Sequence, residues 1–252
     1  MRNEAATFLL AVQFLTRLPV RGDGLYSPAR LAASVRYYPL VGMLIGGVCA
    51  GVFVASHFLF PSMIAVILAV AVGGLLTGAF HEDGLADTFD GVGGGLSREK
   101  ALAIMRDSRL GTYGTLALVT ALALKISALI FLAPDLVIAA LMAGHGLSRL
   151  SSVLVIATSR YVRDEGTGKP VAGGVSPTSL MIALGTGAAV IGIWCVFLTP
   201  MALAWASGGL LLGHLFMRMF FEPKLGGYTG DTLGAVQQMS EIGFYLGLVA
   251  WL

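Results

Sequence analysis

Residues 114–157 read GTLALVTALALKISALIFLAPDLVIAALMAGHGLSRLSSVLVIA, two long apolar runs that meet at Ala133-Pro134-Asp135. A helix of about 20 apolar residues is roughly 30 Å long, the thickness of a bilayer's hydrocarbon core. The stretch is therefore a membrane hairpin with a proline-bearing tip. Outward from it the pattern repeats: runs 41–60 and 62–80 turn at Phe60-Pro61-Ser62, and runs 180–199 and 200–220 turn at Thr199-Pro200. With 114–133, 136–157 and a final run at 233–252, seven spans are expected, the last carrying Gln237, Gln238 and Glu241 in its first half.

The whole chain agrees with this reading. Of 252 residues, 56% are hydrophobic and 12% charged, about half the charge of an ordinary soluble domain. Those proportions exclude a water-soluble enzyme and leave no length for a second domain. One all-α, polytopic membrane bundle over 1–252 is expected. The opening MRNEAATFLLAVQFLTRLPV is interrupted by Glu4, Gln13 and Arg17, which suits an amphipathic helix lying at the interface better than a cleaved signal. Cys49 and Cys195 each sit in an apolar run and are read as core residues. The 34 glycines include Gly42-x-x-x-Gly46, Gly47-x-x-x-Gly51 and Gly209-x-x-x-Gly213, spacings that let helices approach closely.

Charge placement decides the orientation. Of the 16 Lys and Arg, 14 fall before the first span or in the longer links, and the hairpin tips carry none. By the positive-inside rule the N-terminus and long links face the cytoplasm, so the protein is expected in the inner membrane with its working face inward. The net charge of +2 contains no basic block, and no nucleic-acid partner is expected.

Just past the second run comes His81-Glu82-Asp83-Gly84-Leu85-Ala86-Asp87-Thr88-Phe89-Asp90-Gly91, with four of the 14 acidic residues in nine positions. On a helix Asp83, Asp87 and Asp90 share one face within about 60°. Carboxylates in such a stripe repel, and a hard divalent cation, Mg²⁺ or Mn²⁺, is the usual compensation; a solvated acidic helix end is the plain alternative. Glu82 adjoins the stripe as a further candidate ligand.

Gly91-Val92-Gly93-Gly94-Gly95 then offers either backbone N–H groups for a phosphate or a hinge. The segment from Ser97, a helix cap, to Gly111, a stop, reads as an amphipathic helix. Arg98, Arg106 and Arg109 fall on one face of it, about 80° wide. Guanidinium forks there match a diphosphate, and lipid headgroups equally.

Lys125 and Arg149 lie within spans, where charge marks a site or a structural ion pair. Glu241 is their natural partner, and Arg149, nearer the cytoplasmic end, is able to snorkel. His145 and His214 are read as packed helix residues. Last, Gly226-Gly227-Tyr228-Thr229-Gly230-Asp231-Thr232-Leu233-Gly234-Ala235 opens the final run: Asp231 completes a metal shell or caps the helix, and Thr229 and Thr232 are candidates for binding phosphate.

Carboxylates, arginines and glycine turns on one membrane face are equipment for metal-assisted transfer on a diphosphate. The motifs His81–Gly91, Ile104–Gly111 and Gly226–Ala235 resemble those of the adenosylcobinamide-GDP ribazoletransferase (cobalamin synthase) family. So do Phe14–Pro19, Tyr38–Gly42 and Arg160-Tyr161-Val162-Arg163-Asp164-Glu165-Gly166, so the resemblance runs in order along nearly the whole chain. Glu82 departs from the family pattern, which leaves Asp83, Asp87 and Asp90 as the better ligands.

The resemblance implies a membrane enzyme of the last assembly stage of cobalamin, working among membrane lipid and the other nucleotide-loop assembly enzymes. It would join adenosylcobinamide-GDP to α-ribazole or its 5′-phosphate and release GMP. Mg²⁺ on the three aspartates would bind the diphosphate, the arginines would neutralise it, and one aspartate would act as base. Asp87-x-x-Asp90-Gly91 also matches the opening of the CDP-alcohol phosphotransferase motif, but the remainder of that motif is missing. A secondary transporter would use Lys125, Arg149 and Glu241 as a coupling path, but the polar residues gather on one surface instead of at midplane.

Overall fold

A computed structural model describes residues 2–20, 24–163, 169, 173–195 and 199–252. The described residues form eleven α-helices: α1 (Arg2–Leu15), α2 (Pro28–Ser34), α3 (Tyr38–His57), α4 (Ser62–Thr77), α5 (Phe80–Gly94), α6 (Arg98–Ile104), α7 (Thr112–Ile130), α8 (Pro134–Thr158), α9 (Pro177–Trp194), α10 (Pro200–Leu225) and α11 (Gly230–Trp251). Proline in the first turn starts α2, α3, α8, α9 and α10, where its missing N–H costs nothing. Side chains of Ser27, Ser97, Ser176, Thr199 and Thr229 cap five helices. Helix α1 buries Thr7, Leu10, Ala11 and Leu15 and exposes Glu4 and Gln13, the expected amphipathic pattern.

Five segments are long and apolar enough to cross a membrane, α2 with α3, α7, α8, α9 and α10, or six if the bent pair α4 and α5 counts as one span. By length and composition the count falls short of the expected seven at two runs. The run 62–80 stops at Thr77, where Gly78 and Ala79 both take left-handed conformations and turn the chain by 86°. There Gly78 leaves room for the Arg17 guanidinium, which any Cβ would strike. Helix α5 then runs beneath the ends of α7, α10 and α11 instead of continuing the crossing.

The run 233–252 corresponds to α11, which is not apolar enough to span by composition because it serves as the buried axis of the bundle. It packs against α10, α5, α8 and α7, and Gln237, Gln238, Ser240 and Glu241 are all buried in it. The glycine spacings explain the close packing. Gly209 and Gly213 seat α10 on the backbone of α11 at Gly243 and Met239, and Gly42 and Gly46 seat α3 on α8 at His145 and Leu141. Gly47 and Gly51 face open space. Cys49 is buried as expected, whereas Cys195, at the end of α9, is exposed.

Candidate active site

Helix α5 carries the aspartate stripe along the basic end of the bundle. It lies against α11 where Gly84 meets the Asp231 carbonyl; a Cβ there would stand 2.6 Å from that oxygen. The three aspartates end up in different surroundings. Asp83 is exposed and Asp87 half-buried, whereas Asp90 is buried and accepts the backbone N–H of Gly111 at 2.7 Å and of Gly114 at 2.8 Å. Asp90 thus satisfies the first turn of α7 from outside that helix. Glu82 points away from the stripe and accepts from Gln238 Nε2 at 3.1 Å inside the bundle. Gly91 to Gly94 continue α5 as helix, and Gly91 and Gly95 let α6 sit against it at Ala101 and Met105. These glycines serve packing and form neither hinge nor phosphate loop.

The fourth aspartate arrives through a tertiary clasp. Tyr228 donates its N–H to Arg160 O at 2.8 Å, Val162 donates to Tyr228 O at 3.0 Å, and Tyr161 bridges Tyr228. Arg160 Nε adds a bond to Gly226 O at 2.7 Å. The clasp sets Arg163 Nη1 2.7 Å from Asp231 Oδ2. The cap of α11 is Thr229, not Asp231: Thr229 and Thr232 form a reciprocal capping box and are fully buried. Their hydroxyls are engaged there, which keeps them off a phosphate and leaves Asp231 to face α5. Of the motif Arg160–Gly166, residues 164–166 lie outside the described residues.

Electrostatics tie these groups together. Burial, then the carboxylates of Asp231 and Asp83, push Asp87 up to about 7, with Arg163 opposing. Burial also holds Asp231 above the usual carboxylate range against the pull of Arg163. Among the described residues no group of three His, Cys, Asp or Glu side chains is placed to hold a metal ion. Mg²⁺ does not require one, because it keeps several waters and binds through one or two carboxylates plus substrate phosphates. The hard oxygens of Asp83, Asp87 and Asp231, mutually repelling, fit that mode of binding.

The expected arginine ridge is not on one helix. Helix α6 ends at Ile104, so Arg106 and Arg109 lie in the following turn and loop. Arg98 donates to Leu225 O at 2.8 Å and Val162 O at 3.2 Å, fastening α6 to the clasp. Arg109 pairs with Asp107 at 2.6 Å and, like Arg106, is exposed.

Lys125 and Arg149 are held inside the bundle. Lys125 Nζ lies 2.9 Å from Glu241 Oε1 and donates to Gln238 Oε1 at 2.8 Å. Arg149 is 2% exposed, does not snorkel, and donates to His145 O at 2.9 Å. Through Gln238 this intramembrane network reaches Glu82, the residue next to Asp83. His214 packs with Ser151 at 2.7 Å, as read from sequence. A groove of about 640 Å³ between α7, α10 and α11 is apolar, lined by residues such as Leu124, Trp205 and Phe216, and none of its lining residues is titratable.

The cobalamin-5-phosphate synthase family model matches residues 7–249. The chain belongs to that family. An adenosylcobinamide-GDP ribazoletransferase of Shewanella woodyi is 42% identical over 100% of this chain and 98% of its own. Proteins of the same name from Shewanella frigidimarina and Leptothrix cholodnii are each 44% identical, covering 96% and 98% of this chain and 94% and 96% of theirs. No solved structure matches the chain. For this cobalamin-5-phosphate synthase family member, the phospholipid and transporter readings fall away.

Arg163 is absent from the residues singled out by sequence reasoning, although it stands in a motif that carries the family resemblance. The only available signal was its place in that motif, since 68 residues separate it from Asp231 and only the clasp joins them.

Proposed function

We propose that the end of the bundle bearing Asp83, Asp87 and Asp231 is where the chain performs its reaction. The activity is adenosylcobinamide-GDP ribazoletransferase, a membrane transferase step of cobalamin biosynthesis. The substrates are adenosylcobinamide-GDP and a ribazole, either α-ribazole or its 5′-phosphate, giving adenosylcobalamin or its 5′-phosphate with GMP. The observation that carries the site reading is the close packing of α5 on α11 at Gly84 and Asp231, which brings Asp83, Asp87 and Asp231 within electrostatic reach of one another.

Asp83 and Asp231 are the residues we assign to Mg²⁺, with Mn²⁺ as a substitute; Asp90 supports them by fixing α7. A cation held there would supply charge neutralisation for the diphosphate. Asp87 is our proton acceptor. Held near neutrality between two carboxylates, it is both ionisable and basic enough to take the proton of a ribose ring hydroxyl, which α-ribazole and its 5′-phosphate both carry. That hydroxyl oxygen forms a bond to the cobinamide-linked phosphorus as the bridging oxygen departs with GMP. The basic loops support a cytoplasmic position for this end and an inner-membrane location for the protein.

The test is release of GMP from adenosylcobinamide-GDP by the purified, membrane-reconstituted protein with α-ribazole and Mg²⁺. The expected result is one GMP per corrinoid product, abolished by chelation and restored by Mg²⁺. Absence of GMP in a folded preparation would overturn the proposal.

A further inference from the structure

We propose that Arg163 is the anion anchor of this site: its guanidinium, paired through Nη1 with Asp231, offers Nε and Nη2 to a phosphoryl group of the diphosphate substrate. The inference rests on the reading of the bundle end as the transferase site and adds to it the side chain that grips the phosphate.

The Arg163 side chain is 9% exposed, and its Nε and Nη2 are closed off from solvent without a hydrogen-bond acceptor. Buried guanidinium donors without acceptors are strongly unfavourable, so a group left this way in a folded protein points to a missing partner. Other arginines at the same end are engaged: Arg98 and Arg160 with backbone carbonyls, Arg109 with Asp107, and Arg218 with Glu222 and Thr158.

The open atoms also match one chemistry. Nε and Nη2 share an edge of the planar guanidinium, the fork that takes two oxygens of a single phosphate or carboxylate. The nearby carboxylates do not fill it, since Asp231 meets only Nη1. Asp231 stands in the first turn of α11, so Arg163 lies beside the positive end of a 22-residue helix. The clasp of residues 160–162 on Tyr228 fixes the backbone before Arg163, so the fork is preset and not recruited.

The experiment compares wild type, Arg163→Lys and Arg163→Ala, full length in nanodiscs, for binding of inorganic pyrophosphate and of GDP with Mg²⁺, and for steady-state GMP release. Lysine keeps a charge for Asp231 but cannot form the fork. The expected result for Arg163→Lys is at least tenfold weaker binding of both probes and a raised KM for adenosylcobinamide-GDP, with KM for α-ribazole and thermal midpoint unchanged. Arg163→Ala should bind neither probe; if it fails to fold, the lysine variant decides alone. Wild-type affinity in Arg163→Lys would overturn the anchor while leaving the site reading intact. A wild type that neither binds the probes nor releases GMP would overturn both.

Discussion

Asp90 and Gly111 are joined across 21 residues: the aspartate's carboxylate receives the glycine's backbone N–H at 2.7 Å, with Gly114 N–H on the other oxygen at 2.8 Å. The last aspartate of the stripe is therefore an external cap for α7, and its loss should differ in kind from the loss of the others. Asp90→Ala is expected to lower stability by about 1–2 kcal/mol, the usual cost of a lost cap, together with activity. Asp83→Asn should lower activity with an unchanged thermal midpoint and recover in part at raised Mg²⁺ or Mn²⁺. Equal midpoints for Asp90→Ala and wild type would contradict the capping role.

The approach of α5 to α11 depends on Gly84, whose hydrogen leaves room for the Asp231 carbonyl. Gly84→Ala must push backbone away and separate Asp87 from Asp231, so turnover should fall at least tenfold. Gly47→Ala is the control: nothing lies within 4 Å of a Cβ there. It should be neutral or stabilising by up to about 1 kcal/mol, as alanine is the better helix former. Thermal midpoints and GMP release measured side by side check both.

Inside the bundle, Lys125→Met strands Glu241 among buried groups. Removing one partner of a buried pair costs about 3–5 kcal/mol, so a large drop in thermal midpoint is expected. Adding Glu241→Gln should restore much of it. A single variant as stable as wild type would show that the pair does not hold the helices.

The hairpins were legible because each helix shows lipid an apolar surface, and the short proline tips mark the turns. Helix α11 was obscured because the polarity of Gln237, Gln238 and Glu241 is satisfied inside the bundle, by Ser148 of α8, Lys125 of α7 and Tyr245 one turn along α11 itself. Periodicity gave the shared stripe of Asp83, Asp87 and Asp90, but not their separate surroundings, which depend on where α7 begins. The supposed helix from Ser97 to Gly111 ends at Ile104, and beyond it the N–H groups of Arg109 and Gly111 go to the side chains of Asp107 and Asp90, bonds that periodicity does not reveal. The clasp between Arg160 and Tyr228 is formed by backbone atoms, which leave no side-chain pattern to read.

Asp87 sets a pH dependence. Its folded pKa of about 7 lies above the unfolded value near 4, so ionisation opposes folding. Without metal, stability should decline as pH rises from about 4 through 7, and turnover should rise over the upper part of that range as the base form appears. Added Mg²⁺ favours the carboxylate, so the midpoint of the activity limb should move to lower pH as Mg²⁺ is raised. A limb indifferent to Mg²⁺ would separate Asp87 from the metal site.

The most direct test is Asp87→Asn in the reconstituted full-length protein, read as single-turnover GMP release from adenosylcobinamide-GDP with α-ribazole at saturating Mg²⁺. The substitution keeps the size and removes the base. Release should slow by at least about 100-fold, the lower range of general-base contributions, without recovery at higher Mg²⁺ and with the thermal midpoint unchanged or raised. Release within twofold of wild type from a folded Asp87→Asn protein would contradict the assignment of this surface as the reacting site.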